Sequence, residues 1–357
     1  MKKALFIVGP ALGHVGRLGS VAWKLRSVSD VEIVFATPAH ARYAHAVLGN
    51  DFEIIPIEIG EQAMSMPANE FAIGLEQVFQ TVHPDLIVRD LCPLKWMSAV
   101  RYPDCPHLNV TNFFLTRHLQ EQTLQAMWYA GIASDIRRLR FEKGLAQLES
   151  VFDLYEADRV LLADPQPLLK PHGELPNHYR ACGACSWSRD GELPDELEHL
   201  DDVLLLSMGS TGGGTLDKET IRIIAQRMGC ATIVYAGSYP DTMRKRFVAD
   251  YCYDWLPLKK MLTRTRAVIC QGGTGSSYMA LEAGVPVIVI PGHRNHQILG
   301  ELLEKAGVGL CIPSDSKDLD LALSRCENMV ANAFSFAAEM KRQDGVSEIV
   351  KQIREYL

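Results

Sequence analysis

The stretch from Val268 to Pro291 constrains the fold more than any other part of the chain. Val268-Ile269-Cys270 reads as a buried strand, and Gln271-Gly272-Gly273-Thr274-Gly275 as a glycine-rich turn. Ser276 and Ser277 open a helix, Gly284 stops it, and Val287-Ile288-Val289-Ile290 is a second apolar strand. Glycines at a strand-to-helix turn let backbone N–H groups approach a ligand closely. The helix start adds unpaired N–H groups and partial positive charge, which together suit a phosphate. The hydroxyls of Thr274, Ser276 and Ser277 are further candidate donors. The competing reading is a tight strand–helix junction that binds nothing.

The same alternation runs through the rest of the chain. Apolar strand-like runs occur at Ala4–Val8, Val31–Ala36, Glu53–Ile57, Leu86–Arg89, His107–Val110 and Arg159–Ala163, with helical patterns between most of them. Leu115–Glu156 has no strand signal and reads as two or three helices, with Arg137, Arg138 and Arg140 as a solvated face. Pro165–Asp202, rich in proline, glycine and charge, reads as loops ending in a linker. After it come strands at Val203–Ser207, Thr232–Ala236 and Val308–Ile312, with Tyr251–Trp255 leading into Leu256-Pro257 and a short helix, and a helical tail. The loop His293–Gln297 is expected to precede a helix at about Ile298–Ala306. The fold class is therefore α/β, with two parallel sheets covered by helices. Ligands of such sheets bind beyond the carboxyl ends of the strands, where His14 and Asp90 each follow a strand.

A length of 357 residues fits two domains. A net charge of −7 argues against broad nucleic-acid or anionic-membrane binding, and no apolar run is long enough for a transmembrane segment. The N-terminal run Met1–Pro10 reads as a first strand, not a signal peptide. Nine scattered cysteines suggest reduced thiols and a cytoplasmic location; Cys182-Gly183-Ala184-Cys185 lacks the second ligand pair that zinc needs.

Gly272, Gly273, Gly275, Ser276, Ser277, Gly284, Val285 and Pro286 resemble the donor signature of GT-B glycosyltransferases, in particular the macrolide, glycopeptide and other natural-product enzymes. The resemblance implies two Rossmann-like domains facing a cleft: an acceptor domain at 1–190, a nucleotide-sugar domain at 200–340, and a C-terminal helix at 341–357 crossing back. It implies His14, after Gly13, as general base. An imidazole can accept a proton at neutral pH, and Asp90 on its other nitrogen would orient it. Asp90 reads equally as a helix cap before Pro93.

On the donor side the resemblance implies diphosphate contacts from Gly209, Ser210 and the Gln271–Ser277 turn. It implies nucleobase stacking by Trp255 beside Leu256, with Pro257 following. Gln271 stands where the family has histidine. Met279 replaces the glutamate that holds ribose hydroxyls in UDP-sugar enzymes, which favours a dTDP donor over a UDP one. His296-Gln297 replaces an Asp-Gln pair that reads sugar hydroxyls. Phe113, Phe114 and Trp128 are candidates for an acceptor pocket, with core packing as the alternative for such aromatics.

The expected activity is inverting, metal-independent transfer of a sugar from a nucleoside-diphosphate sugar to a small, partly apolar acceptor. No cofactor or metal is expected beyond the nucleotide-sugar co-substrate. A homodimer is left open. Gly13-His14-Val15-Gly16-Arg17 also resembles the Gly-His-x-x-Arg of sugar-nucleotide hydrolases, for which water is the acceptor. A non-catalytic nucleotide-sugar-binding protein is the third reading.

Overall fold

A computed structural model describes residues 1–38, 43–57, 68–90, 94–116, 125–209, 217–237, 249–312 and 328–357; side chains at 68–69, 94–95 and 125–132 lie outside that set. The chain forms two compact units. The first comprises Met1–Asp164, Leu169–Cys185 and Asp344–Leu357; the second comprises Pro165–Leu168 and Ser186–Gln343.

The first unit is built on a seven-stranded parallel sheet. Its strands in chain order are β1 Lys2–Val8, β2 Val31–Pro38, β3 Glu53–Ile57, β4 Leu86–Asp90, β5 His107–Thr111, β6 Arg159–Leu162 and β7 Tyr179–Ala181. Their spatial order is β3-β2-β1-β4-β5-β6-β7. β1 is buried from Ala4 to Val8 and β4 along its whole length, as strands covered on both faces must be. The helix Leu12–Val28 buries Val15, Leu18, Val21, Ala22 and Leu25, and the last helix, Gly345–Arg354, packs against it. The chain thus returns to its first unit to finish.

The second unit has a six-stranded parallel sheet: β8 Val203–Ser207, β9 Thr232–Ala236, β10 Tyr251–Tyr253, β11 Thr265–Cys270, β12 Val287–Val289 and β13 Gly309–Cys311. The order is β10-β9-β8-β11-β12-β13. Its core joins Leu204 and Leu206 of β8, Ile269 of β11 and Ile288 of β12 to Ile221, Ile224 and Met228 of the helix Lys218–Met228. That helix begins where Asp217 accepts a hydrogen bond from the Thr220 amide, an N-cap that satisfies one of the orphan donors.

Several expectations are corrected. The first helix begins at Leu12, so His14 lies in its first turn. Within 115–156 the described residues hold the helix Gln125–Glu142 and a 3-10 turn at Val151–Tyr155, and 117–124 lie outside the described set, so the expected number of helices is not tested. Arg140 is not simply solvated: it donates to the carbonyls of Ala146 and Ser98 at 2.7 and 3.0 Å, tying down the helix end. The supposed loop region hides β7, whose three residues bury only Tyr179 and are too short to show an alternating pattern. The helix after β12 starts at Arg294, so His296 and Gln297 lie in its first turn.

Candidate functional site

In each sheet the strand order reverses direction once, and ligands of open α/β sheets bind at such a point. In the first unit the reversal falls between β1 and β4, which pair with Val8 opposite Asp90. The chain leaving β1 turns into the helix that carries His14, and β4 ends at Asp90. The two meet: His14 Nδ1 lies 2.7 Å from Asp90 Oδ1. Asp90 is 3% exposed, whereas His14 is only partly buried. Burial alone would raise the Asp90 pKa, but the Arg17 guanidinium and then His14 outweigh it and hold the carboxyl below its ordinary value. An ionised carboxylate can only accept, so Nδ1 carries a proton, and in the neutral ring the lone pair lies on Nε2. Chemically this is an oriented base.

In the second unit the reversal falls between β8 and β11, where Ser207 pairs opposite Cys270. Both glycine-rich turns therefore leave adjacent strand ends. Gly209 sits beside the Gln271 carboxamide, a Cβ at 209 standing 3.5 Å from Oε1. The Ser207 and Ser276 hydroxyls lie 3.3 Å apart and tie the end of β8 to the first turn of the helix Thr274–Glu282. No side chain caps that helix among the described residues, and the amides of Gly275 and Ser276 precede the first bond of its ladder. Gly13, Gly273 and Gly275 have nothing near where a Cβ would stand.

The candidate donor residues divide. Ser277 is fully buried, its hydroxyl 3.4 Å from Cys270 Sγ and its amide bonded to the Gly273 carbonyl, so it offers nothing outward. At Gly272 the backbone passes close to the next helix, and its amide donates to Cys270 Sγ. Trp255 is half-buried and meets Trp187 edge to face at 5.8 Å, while Leu256 is core. The Gln297 carboxamide donates to Glu301 along its own helix at 2.9 Å. His296 is 8% exposed and its ring lies 3.5 Å from that of His293. Burial first, then His293, pushes its pKa down to about 3, so it is neutral at physiological pH. Ser210 lies outside the described residues.

The acceptor candidates are less open than the sequence suggested. Phe113 and Phe114 are 1% and 4% exposed and pack edge to face, with Phe113 also against His172. Apolar rings packed this way are core, the commoner role of such side chains. The side chain of Trp128 lies outside the described set.

Arg17, which the sequence offers only as part of the Gly-His-x-x-Arg pattern, stands next to this pair. Arg17 Nη1 lies 3.3 Å from Asp90 Oδ2, one helical turn from His14. The i, i+3 spacing of His14 and Arg17 was the available signal.

The fold and these two switch-point clusters define a GT-B protein. Two parallel Rossmann-like sheets match solved glycosyltransferases along nearly their whole length. The glycotransferase of kitacinnamycin matches with a TM-score of 0.76 at 15% identity, covering 100% of this chain and 99% of that one. SsfS6 of Streptomyces sp. SF2575, solved with thymidine diphosphate, matches with a TM-score of 0.66 at 17% identity, covering 99% and 100%. Residues 214–355 match the family model of the erythromycin biosynthesis protein CIII-like C-terminal domain.

Curated relatives agree with this. A PGL/p-HBAD biosynthesis glycosyltransferase of Mycobacterium tuberculosis is 28% identical over 244 residues, 65% of this chain and 55% of the relative. A PGL/p-HBAD biosynthesis rhamnosyltransferase of Mycobacterium bovis is 30% identical over 270 residues, 67% of this chain and 58% of the relative. The matches thus span little more than half the length of these relatives.

Proposed function

We propose that the chain is a glycosyltransferase that moves a sugar from a nucleoside diphosphate to an acceptor hydroxyl. The observation that carries this is the 2.7 Å contact between His14 Nδ1 and buried Asp90 at the sheet's switch point. His14 Nε2 takes the acceptor proton as the acceptor oxygen bonds to the anomeric carbon. The bond from that carbon to the diphosphate oxygen breaks on the opposite face, so configuration inverts. The departing negative charge is met by the Gly273–Ser276 amides and by the Gly209 turn, with no metal required.

The donor we favour is a dTDP-sugar. Met279 is 3% exposed and turned into the core, so it has no part in holding a ribose. The SsfS6 structure contains thymidine diphosphate, which adds support. The sugar is a rhamnose-like deoxyhexose, given the rhamnosyltransferase relative and the neutral His296 in place of a hydroxyl-reading carboxylate. The acceptor is a small, partly apolar alcohol or phenol. The seven described cysteines are all free, which fits a reducing cytoplasm, and no described helix is long and apolar enough to cross a membrane.

The test is calorimetric titration of dTDP and UDP, followed by product analysis with dTDP-sugar and a panel of phenolic acceptors. A product whose anomeric configuration is opposite to that of the donor is expected. Free sugar formed in step with nucleotide, without acceptor, favours the hydrolase that Gly13-His14-Val15-Gly16-Arg17 also resembles. Binding without turnover across the panel favours a non-catalytic binder.

A further inference from the structure

We propose that Arg17 is a positioning residue of the His14–Asp90 pair: it holds the Asp90 carboxylate ionised and aimed, and so keeps the ring proton of His14 on Nδ1. This rests on the reading of His14 as the base.

The geometry is a chain of buried polar groups. Arg17 spreads its guanidinium between two side-chain oxygens. Nη1 lies 3.3 Å from Asp90 Oδ2, and Nη2 donates to Asn112 Oδ1 at 2.8 Å. The Asn112 amide donates in turn to Asp164 Oδ1 at 2.8 Å, and the other Asp164 oxygen accepts from the Phe113 amide at 2.8 Å. Arg17, Asp90, Asn112 and Asp164 are each 5% exposed or less. The Arg17–Asp90 contact is a close ion pair without hydrogen-bond alignment, so charge is its main contribution. The guanidinium is fixed from behind by Asn112, and Asn112 by Asp164.

A carboxyl this deep has two ways to lose its orienting role. It can take up a proton, since burial disfavours the anion, or its unclamped oxygen can swing away. Arg17 opposes both. Its charge acts on Asp90 most strongly after burial itself, and His14 acts next; these are the two charged groups that lower Asp90 among the described residues. Were Asp90 neutral, its O–H would donate to Nδ1. The ring proton would then move to Nε2, the nitrogen that must accept from the acceptor hydroxyl. The i, i+3 spacing puts both partners of Asp90 on one face of one helix, so a single element sets both contacts.

The test reads the tautomer directly. Histidine ring nitrogens are labelled with 15N, and His14→Asn identifies the His14 signals. At pH 7.5 the wild-type protein is expected to show His14 as the Nδ1–H form. In Arg17→Gln that form should fall at least twofold, whereas Arg17→Lys, which keeps the charge, should retain it. An unchanged Nδ1–H form in folded Arg17→Gln overturns the proposal, as does an equal loss in the lysine variant. If Arg17→Gln does not fold, Asn112→Ala releases the guanidinium instead, and an unchanged tautomer there also overturns it.

No donor or acceptor is needed for this measurement. A shifted proton in Arg17→Gln, together with a wild-type protein that transfers no sugar, upholds the clamp and removes the base assignment. Normal transfer with an unshifted proton removes the clamp alone.

Discussion

A side chain at Gly272 would meet the backbone of His296: a Cβ there would stand 2.8 Å from the His296 carbonyl oxygen and 3.1 Å from its Cα. The residue also has φ +93, which L side chains rarely adopt. The glycine that looked like a ligand contact is therefore what lets the turn after β11 and the first turn of the helix Arg294–Lys305 pack together. Gly272→Ala should destabilise the second unit by about 2 kcal/mol or more, from overpacking plus backbone strain. Thermal unfolding checks this; a Tm within a degree of wild type would show that the turn can relax.

Replacing His14 by alanine removes the proposed base. Turnover should fall by about 10²–10⁴, the usual contribution of a positioned base, while the nucleotide Kd stays within twofold. Steady-state rates and calorimetry on the same preparation check both halves. Undiminished turnover would take the role away from His14.

His296 should make stability depend on acidity. Its folded pKa of about 3 lies below the ordinary 6.5 because burial disfavours the imidazolium. The unfolded chain therefore binds the extra proton first. Stability from this group is full above pH 6.5, is lost as pH falls, and is exhausted near pH 3. The slope within that window approaches about 1.4 kcal/mol per pH unit at most. His296→Gln should flatten the midpoint-versus-pH curve between pH 6.5 and 4.5 in urea unfolding. An equal slope in both proteins would show that the imidazole is not the source.

The Trp187–Trp255 contact bears on nucleotide binding. Trp187 meets Trp255 edge to face at 5.8 Å, and Trp255 is only partly buried. Trp255→Ala should weaken dTDP binding by about 1–3 kcal/mol, as loss of base stacking does. Tryptophan fluorescence should also lose its quenching by the nucleotide. Unaltered affinity would place the base elsewhere.

Much of this was legible along the chain because the signals are local. Buried parallel strands are short apolar runs, and glycines mark the turns after β1, β8 and β11. The rule that strand ends carry the site placed His14 and Asp90 on one edge, and the resemblance implied their partnership, with a helix cap as the alternative for Asp90. Other features were hidden. Ser277 looks like its neighbour Ser276, yet the helix's own rotation turns one hydroxyl inward to Cys270 and leaves the other on Ser207. Phe113 and Phe114 look like a pocket, yet they are packed. β7 was lost because a three-residue edge strand has no periodicity to read.

The amino-acid order by itself determined the alternation of strands and helices, the glycine turns and the residue types at the strand ends, because each depends on neighbours within a turn or two. Only the tertiary structure decided which strand ends lie side by side. Pairing β1 with β4 and β8 with β11 skips over two intervening strands in each case. Burial on both faces makes such apolar strands interchangeable to a local reading. Their sorting is a property of how the sheet closes, and that sorting brings Arg17, Asp90 and Asn112 into one buried chain.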